Sequence, residues 1–140
     1  MNFEKLLYWL LVLISVATLI SGVVQVFAPG FILGMIAAEI TPATRQCFAT
    51  IGMFMALFGG MLLHGLLTQQ MLTPVFLWAG LQKIGAFVAV GIGVMNHVFS
   101  PMALAIAGFD LLSGILVFIY MRVAATANSA PLTSVERSLT

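Results

Sequence analysis

Four stretches of this chain run almost without charge, and the polar residues collect between them. They cover about residues 6–27, 47–67, 74–95 and 101–121. Each holds roughly 21 residues, or about 32 Å at a rise of 1.5 Å per residue, which matches a hydrocarbon core of about 30 Å. Backbone groups in lipid must be satisfied within the spanning segment, and nothing here alternates with the period of a barrel strand. The pattern therefore predicts helices, with Pro74 and Pro101 at first-turn positions where a missing N–H costs nothing. The fold expected is all-α, an antiparallel bundle of four transmembrane helices.

The first stretch invites comparison with a signal peptide, because Lys5 precedes it and Ser21 and Gly22 are small. Its apolar character continues through Val23, Val24, Val26 and Phe27, too long for a typical signal core, so a retained first helix is expected. The connections at 68–73 and 96–100 are short and make the helices they join antiparallel neighbours. The connection at 28–46 is longer and partly apolar. There Phe31, Ile32, Leu33, Met35 and Ile36 follow Pro29-Gly30 and suggest a short interfacial or re-entrant piece. Residues 1–122 form the membrane domain in this reading, and 123–140 a polar, mobile tail.

Composition narrows the class. The chain of 140 residues is 62% hydrophobic and 6% charged, with too little charge to cover a soluble domain. A formal net charge of +1 provides no field for nucleic acid and no polybasic segment for anionic lipid. One cysteine, Cys47, cannot form an internal disulfide. With four crossings both termini share one side, with Lys5, Arg122 and Arg137, against Arg45 on the other. The positive-inside rule then places both termini in the cytoplasm.

Against that background Lys83 is conspicuous. It lies nine residues after Pro74, roughly 13 Å into the third span at 1.5 Å per residue. Asp110 lies nine residues after Pro101, also roughly 13 Å deep but counted from the opposite face. Both reach the midplane on adjacent antiparallel helices, where an isolated charge costs at least about 2.5 kcal/mol and usually pairs or faces a cavity. A Lys83–Asp110 pair inside the bundle is expected, beside Gln82. It can serve register and assembly, hold a proton or ligand, or face a partner. Small residues (Gly85, Ala89 and Gly93; Gly52, Gly59 and Gly60; Ala103, Ala107, Ser113 and Gly114) would let the helices approach closely around it.

A second polar group gathers at the far face: Gln25, Glu39, Arg45, Gln46, Asn96 and His97. Arg45 could hold an anionic group or pair with Glu39, or the group could simply be solvated at the interface. His64 and His97 belong to opposite faces and cannot share a metal or haem across about 30 Å. Met53 and Met55 point to different sides of a helix, and methionine is a common gap filler. No metal, cofactor or catalytic constellation is expected, which puts a membrane enzyme third among the readings, behind an accessory component and a carrier.

The segments APGFILGM, TRQCFATIGMFMALFGGMLL, AGLQKIGAFVAVGIG and AGFDLLSGILVFIY together resemble the DoxX-like small membrane proteins and their bacterial relatives. The likeness spans about residues 6–121. It is carried by the Pro-Gly element after the first helix, by Arg45 opening the second, and by Lys83 answered by Asp110. Arginine is the more usual base in the third helix, and lysine lacks its bidentate fork. The resemblance implies a four-helix bundle of the bacterial inner membrane that serves as an accessory or assembly component of a larger membrane complex, such as an oxidoreductase. Partners expected are the lipid bilayer and either a larger membrane protein or a second copy. The alternative function is a small oligomeric transporter or proton-coupled carrier centred on Lys83 and Asp110.

Overall fold

The computed structural model describes residues 3–68 and 73–129. Among them are five α-helices: α1 Phe3–Phe27, α2 Pro29–Met35, α3 Pro42–Leu67, α4 Thr73–Met95 and α5 Ala103–Ser129. All but α2 are long and apolar enough to cross a membrane. The chain is thus all-α, with four candidate spans packed together. α1 and α5 bring their outer ends to one side, the near end below; the α4–α5 connection lies at the far end.

The helices outrun their apolar stretches where local chemistry allows. α3 begins at Pro42 rather than near Cys47 because Thr41 and Thr44 form a capping box. Thr41 Oγ1 accepts from the Thr44 N–H at 3.1 Å, and Thr44 Oγ1 accepts from the Thr41 N–H at 2.8 Å. Two donors that would otherwise be orphaned are satisfied, so the helix can start before its hydrophobic part. α5 likewise continues through Ser129, past the end expected near 121 and into the segment read as tail. The rest of that tail, 130–140, and residues 69–72 of the α3–α4 connection lie outside the described residues.

The apolar first connection holds α2. Pro29 removes an N–H and disfavours helical geometry at Ala28, which breaks α1 at Phe27 and opens α2. α2 ends in a Schellman turn, with Ala37 N–H on Gly34 O at 3.2 Å and Ala38 N–H on Leu33 O at 3.0 Å. Ala37 takes the left-handed conformation this turn needs, φ 52°. α2 buries Leu33, and Ile36 just beyond it is buried too. The Ile36 carbonyl accepts from the Ser100 N–H at 3.0 Å, and Phe99 of the same connection meets Phe48 edge to face at 6.3 Å. The far end is thereby closed by α2 and the α4–α5 connection.

Close backbone approach builds the bundle as two pairs, α1 with α3 and α4 with α5. A Cβ on Gly22 would lie 2.5 Å from Ala56 N and 2.7 Å from Gly52 O, so α1 and α3 touch backbone to backbone. Gly59 repeats this lower down against Leu19 and Ser15, which makes the pair antiparallel. Toward the near end the pairs are joined by a core of Leu11, Ile14, Leu62, Leu66, Phe76, Ala79 and Val117. Phe76 also stands 5.7 Å from Tyr120.

The glycines are not equivalent. Gly22 has no room for a side chain, whereas nothing stands within 4 Å of a Cβ built on Gly85. Gly22→Val is expected to lose about 1–3 kcal/mol or more through overpacking. Gly85→Val should change stability by no more than about 0.5 kcal/mol. Thermal unfolding of both variants in one detergent checks this, and equal losses would contradict it.

Candidate functional site: a buried lysine joining three helices

Lys83 projects from α4 into the bundle and is 2% exposed. Its Nζ donates to Asp110 Oδ1 on α5 at 2.8 Å and to Thr18 Oγ1 on α1 at 2.9 Å. The ring of Phe109 stands 5.7 Å from the ammonium, within cation–π range. One side chain therefore ties three helices, and it does so across the seam between the two tight pairs.

The neighbourhood explains how α4 and α5 come close enough. A Cβ on Gly114 would meet Gly80 O at 3.1 Å, Ile84 Cγ1 at 3.0 Å and Lys83 Cβ at 3.4 Å. Glycine there lets the two backbones close up, one turn from Asp110. Two further hydroxyls in the interior are satisfied on their own helices: Ser15 Oγ donates to Leu11 O at 2.7 Å and Ser113 Oγ to Phe109 O at 2.6 Å. Thr18 differs, since its oxygen is turned to Lys83. No buried side-chain nitrogen or oxygen among the described residues lacks a partner.

The pair expected from depth counting is thus formed. Thr18 was not anticipated, although it carried a signal. It follows Leu7, Leu11 and Ile14 at helical spacing, on the face of α1 that turns inward. A hydroxyl on that face at depth is a natural acceptor for a buried ammonium.

The other residues singled out from the sequence are not brought to the pair. Gln82 is half-buried on α4 and makes no hydrogen bond to it. Gln25 is buried toward the far end, its Cβ 2.7 Å from a Cβ built on Gly52. Glu39 and Arg45 are exposed, and no ion pair joins them. The Glu39 carbonyl instead accepts from Thr44 Oγ1 at 2.8 Å, which turns this segment to the service of the α3 cap. The Arg45 guanidinium lies over α2, 3.4 Å from a Cβ built on Gly30.

Fold and site together define a multi-pass helical membrane protein with an intramembrane Lys–Asp pair. The chain matches no protein-family model, no curated protein and no solved structure. Of the expected resemblance the four-helix membrane protein shape is found, and no match identifies the DoxX-like family.

Removing one member of the pair leaves the other without its partner inside the bundle, Lys83 fully buried and Asp110 partly so. Lys83→Met is expected to lose about 3 kcal/mol or more, and Lys83→Met with Asp110→Leu to regain most of that. Thr18→Val should lose less, about 0.6 kcal/mol, the average for a hydrogen bond between membrane helices. Unfolding in mixed detergent measures all three. A double variant no more stable than the single would contradict the pairing energetics.

Proposed function

We propose that this protein is an accessory or assembly component of a larger membrane complex, in which the Lys83–Asp110–Thr18 group locks the fold. The observation that carries this reading is that Lys83 is already engaged. Its ammonium is 2% exposed and makes two hydrogen bonds within the chain, so it is held for structure and not presented to a substrate. The outer surface offers large apolar side chains instead, including Trp9, Phe54 and Trp78. An open apolar groove between α3 and α4, lined by Phe58, Met61, Pro74, Val75 and Trp78, adds shape to it. Both termini lie on the cytoplasmic side in this reading, since Lys5 and Arg122 are exposed toward the near end and Arg45 toward the far end.

Purification in a mild detergent tests the accessory role. A larger membrane protein should co-elute at fixed stoichiometry and separate from the Lys83→Met variant. Elution of the wild type free of any such protein, from membranes where it is naturally expressed, would refute it.

One observation favours a second reading, a proton-coupled carrier. Asp110 is less enclosed than Lys83, its side chain 16% exposed, so the acid beside the buried amine is reachable from outside the bundle. Protein reconstituted in vesicles would then show a flux that responds to a pH gradient and is abolished in Lys83→Met. Flux unchanged by that substitution would remove the amine from any transport cycle.

A further inference from the structure

The seam between α1 and α5 is closed from the near end to the level of Lys83, and one flank of it is exposed beyond. On α5, exposure rises along one flank from 0% at Val117 and 1% at Ser113 to 16% for the Asp110 side chain and 48% at Ile106, while Ala107 and Ala103 beside them stay buried. On α1 the inward stripe is buried at Leu7, Leu11, Ile14 and Thr18. That stripe continues through Gly22 and Gln25, both buried, while Ser21 on its flank is exposed. Helical spacing puts Ser21 two turns above Ile14 on the flank of that face, and its exposure together with that of Ile106 marks a flank left uncovered between α1 and α5.

Two polar groups are left unsatisfied at this opening. Asp110 Oδ1 is taken by Lys83, but Oδ2 receives no hydrogen bond among the described residues. It is also absent from the fully buried atoms that lack a partner, so it reaches the surface. The Ser21 hydroxyl makes no hydrogen bond either, in contrast to Ser15 and Ser113, which bond back to their own helices. Both lie inside candidate spans, where lipid offers no hydrogen-bonding partner. One is an acceptor and the other a donor.

Their depths converge. Ser21 is three residues beyond Thr18, about 4.5 Å further toward the far end at 1.5 Å per residue. Side chains tilt toward the N-terminus of their own helix. α5 starts at the far end, so the Asp110 carboxylate leans that way, while the Ser21 hydroxyl on α1 leans back toward the near end.

We propose that a second copy of this chain docks at this opening, with the two-fold axis along the membrane normal. Ser21 of each copy donates to Asp110 Oδ2 of the other. The contact is isologous, since a two-fold axis makes each residue pair occur twice and at matching depth. Ile106 and Phe109, exposed beside the opening, supply the apolar part of the interface. The chain carries both halves of the complementary chemistry on one face, which is what self-association requires. This dimer is independent of whether a larger partner also binds.

The test uses the full-length protein in phosphatidylcholine vesicles, with monomer and dimer followed by energy transfer between labelled copies over a range of protein-to-lipid ratios. Wild type should dimerise reversibly. Ser21→Ala, which removes no hydrogen bond within the chain, should weaken dimerisation roughly fivefold or more, as two interchain hydrogen bonds of ordinary membrane strength imply. Ile106→Trp should weaken it further by blocking the opening. In a Cys47→Ser background, differently tagged Ser21→Cys and Ile106→Cys chains should cross-link to each other on oxidation, and Gly85→Cys chains on the α4 face should not. A wild type that stays monomeric at every ratio would overturn the proposal. So would a dimer indifferent to both Ser21→Ala and Ile106→Trp, or one that cross-links through Gly85→Cys instead.

Discussion

A hydrocarbon interior contains nothing that can hydrogen-bond, and every polar group carried into it must find its partner within the protein. The described part of this molecule is arranged around that constraint. An ammonium at mid-membrane takes a carboxylate from one helix and a hydroxyl from another. Serines nearby turn their hydroxyls onto their own backbones. The arrangement joins α1, α4 and α5 through a single side chain, and it fixes their relative height, because a shift of either neighbour along its axis would strand a charge or a donor.

Contact between the helices rests on a different physics. Lipid tails are as apolar as leucine, so burying leucine against leucine provides little drive for association within the membrane. What favours it is backbone approach, which dispersion rewards and glycine permits. Gly22 against Gly52, and Gly59 against Ser15 and Leu19, bring α1 and α3 into direct backbone contact. Gly80 and Gly114 do the same for α4 and α5. The two tight pairs are then bridged by an aliphatic and aromatic core near the termini and by the lysine at mid-depth. α2, too short to cross anything, contributes Leu33 to the interior at the far end and hands the Ile36 carbonyl to Ser100.

This division of labour bears on function. The buried lysine is held by two internal partners, and the outer surface along the spans is apolar. Only the acid is left partly accessible, at the point where α1 and α5 part.

Much of this was written in the order of residues. Four apolar stretches of bilayer length, two of their three connections short, point to an antiparallel four-span bundle, because length, hydropathy and the demand for internal backbone bonding favour helices that cross and return. Counting depth along Pro74–Lys83 and Pro101–Asp110 was enough to pair the two charges, since a helix rises by a constant amount per residue. Pattern could not reveal the beginning of α3 at Pro42 or the extension of α5 to Ser129, because hydropathy marks the membrane and says little about where helical hydrogen bonding stops. Nor could it single out Thr18. Many small polar residues sit in the spans, and only the azimuth of α1 in the bundle, set by Gly22 of α1 and Gly59 of α3, turns that one hydroxyl toward Lys83. Which side chains share a depth is a property of one helix and is legible in its sequence. Which of them meet depends on how helices rotate and close upon one another, and that was decided only when the bundle packed.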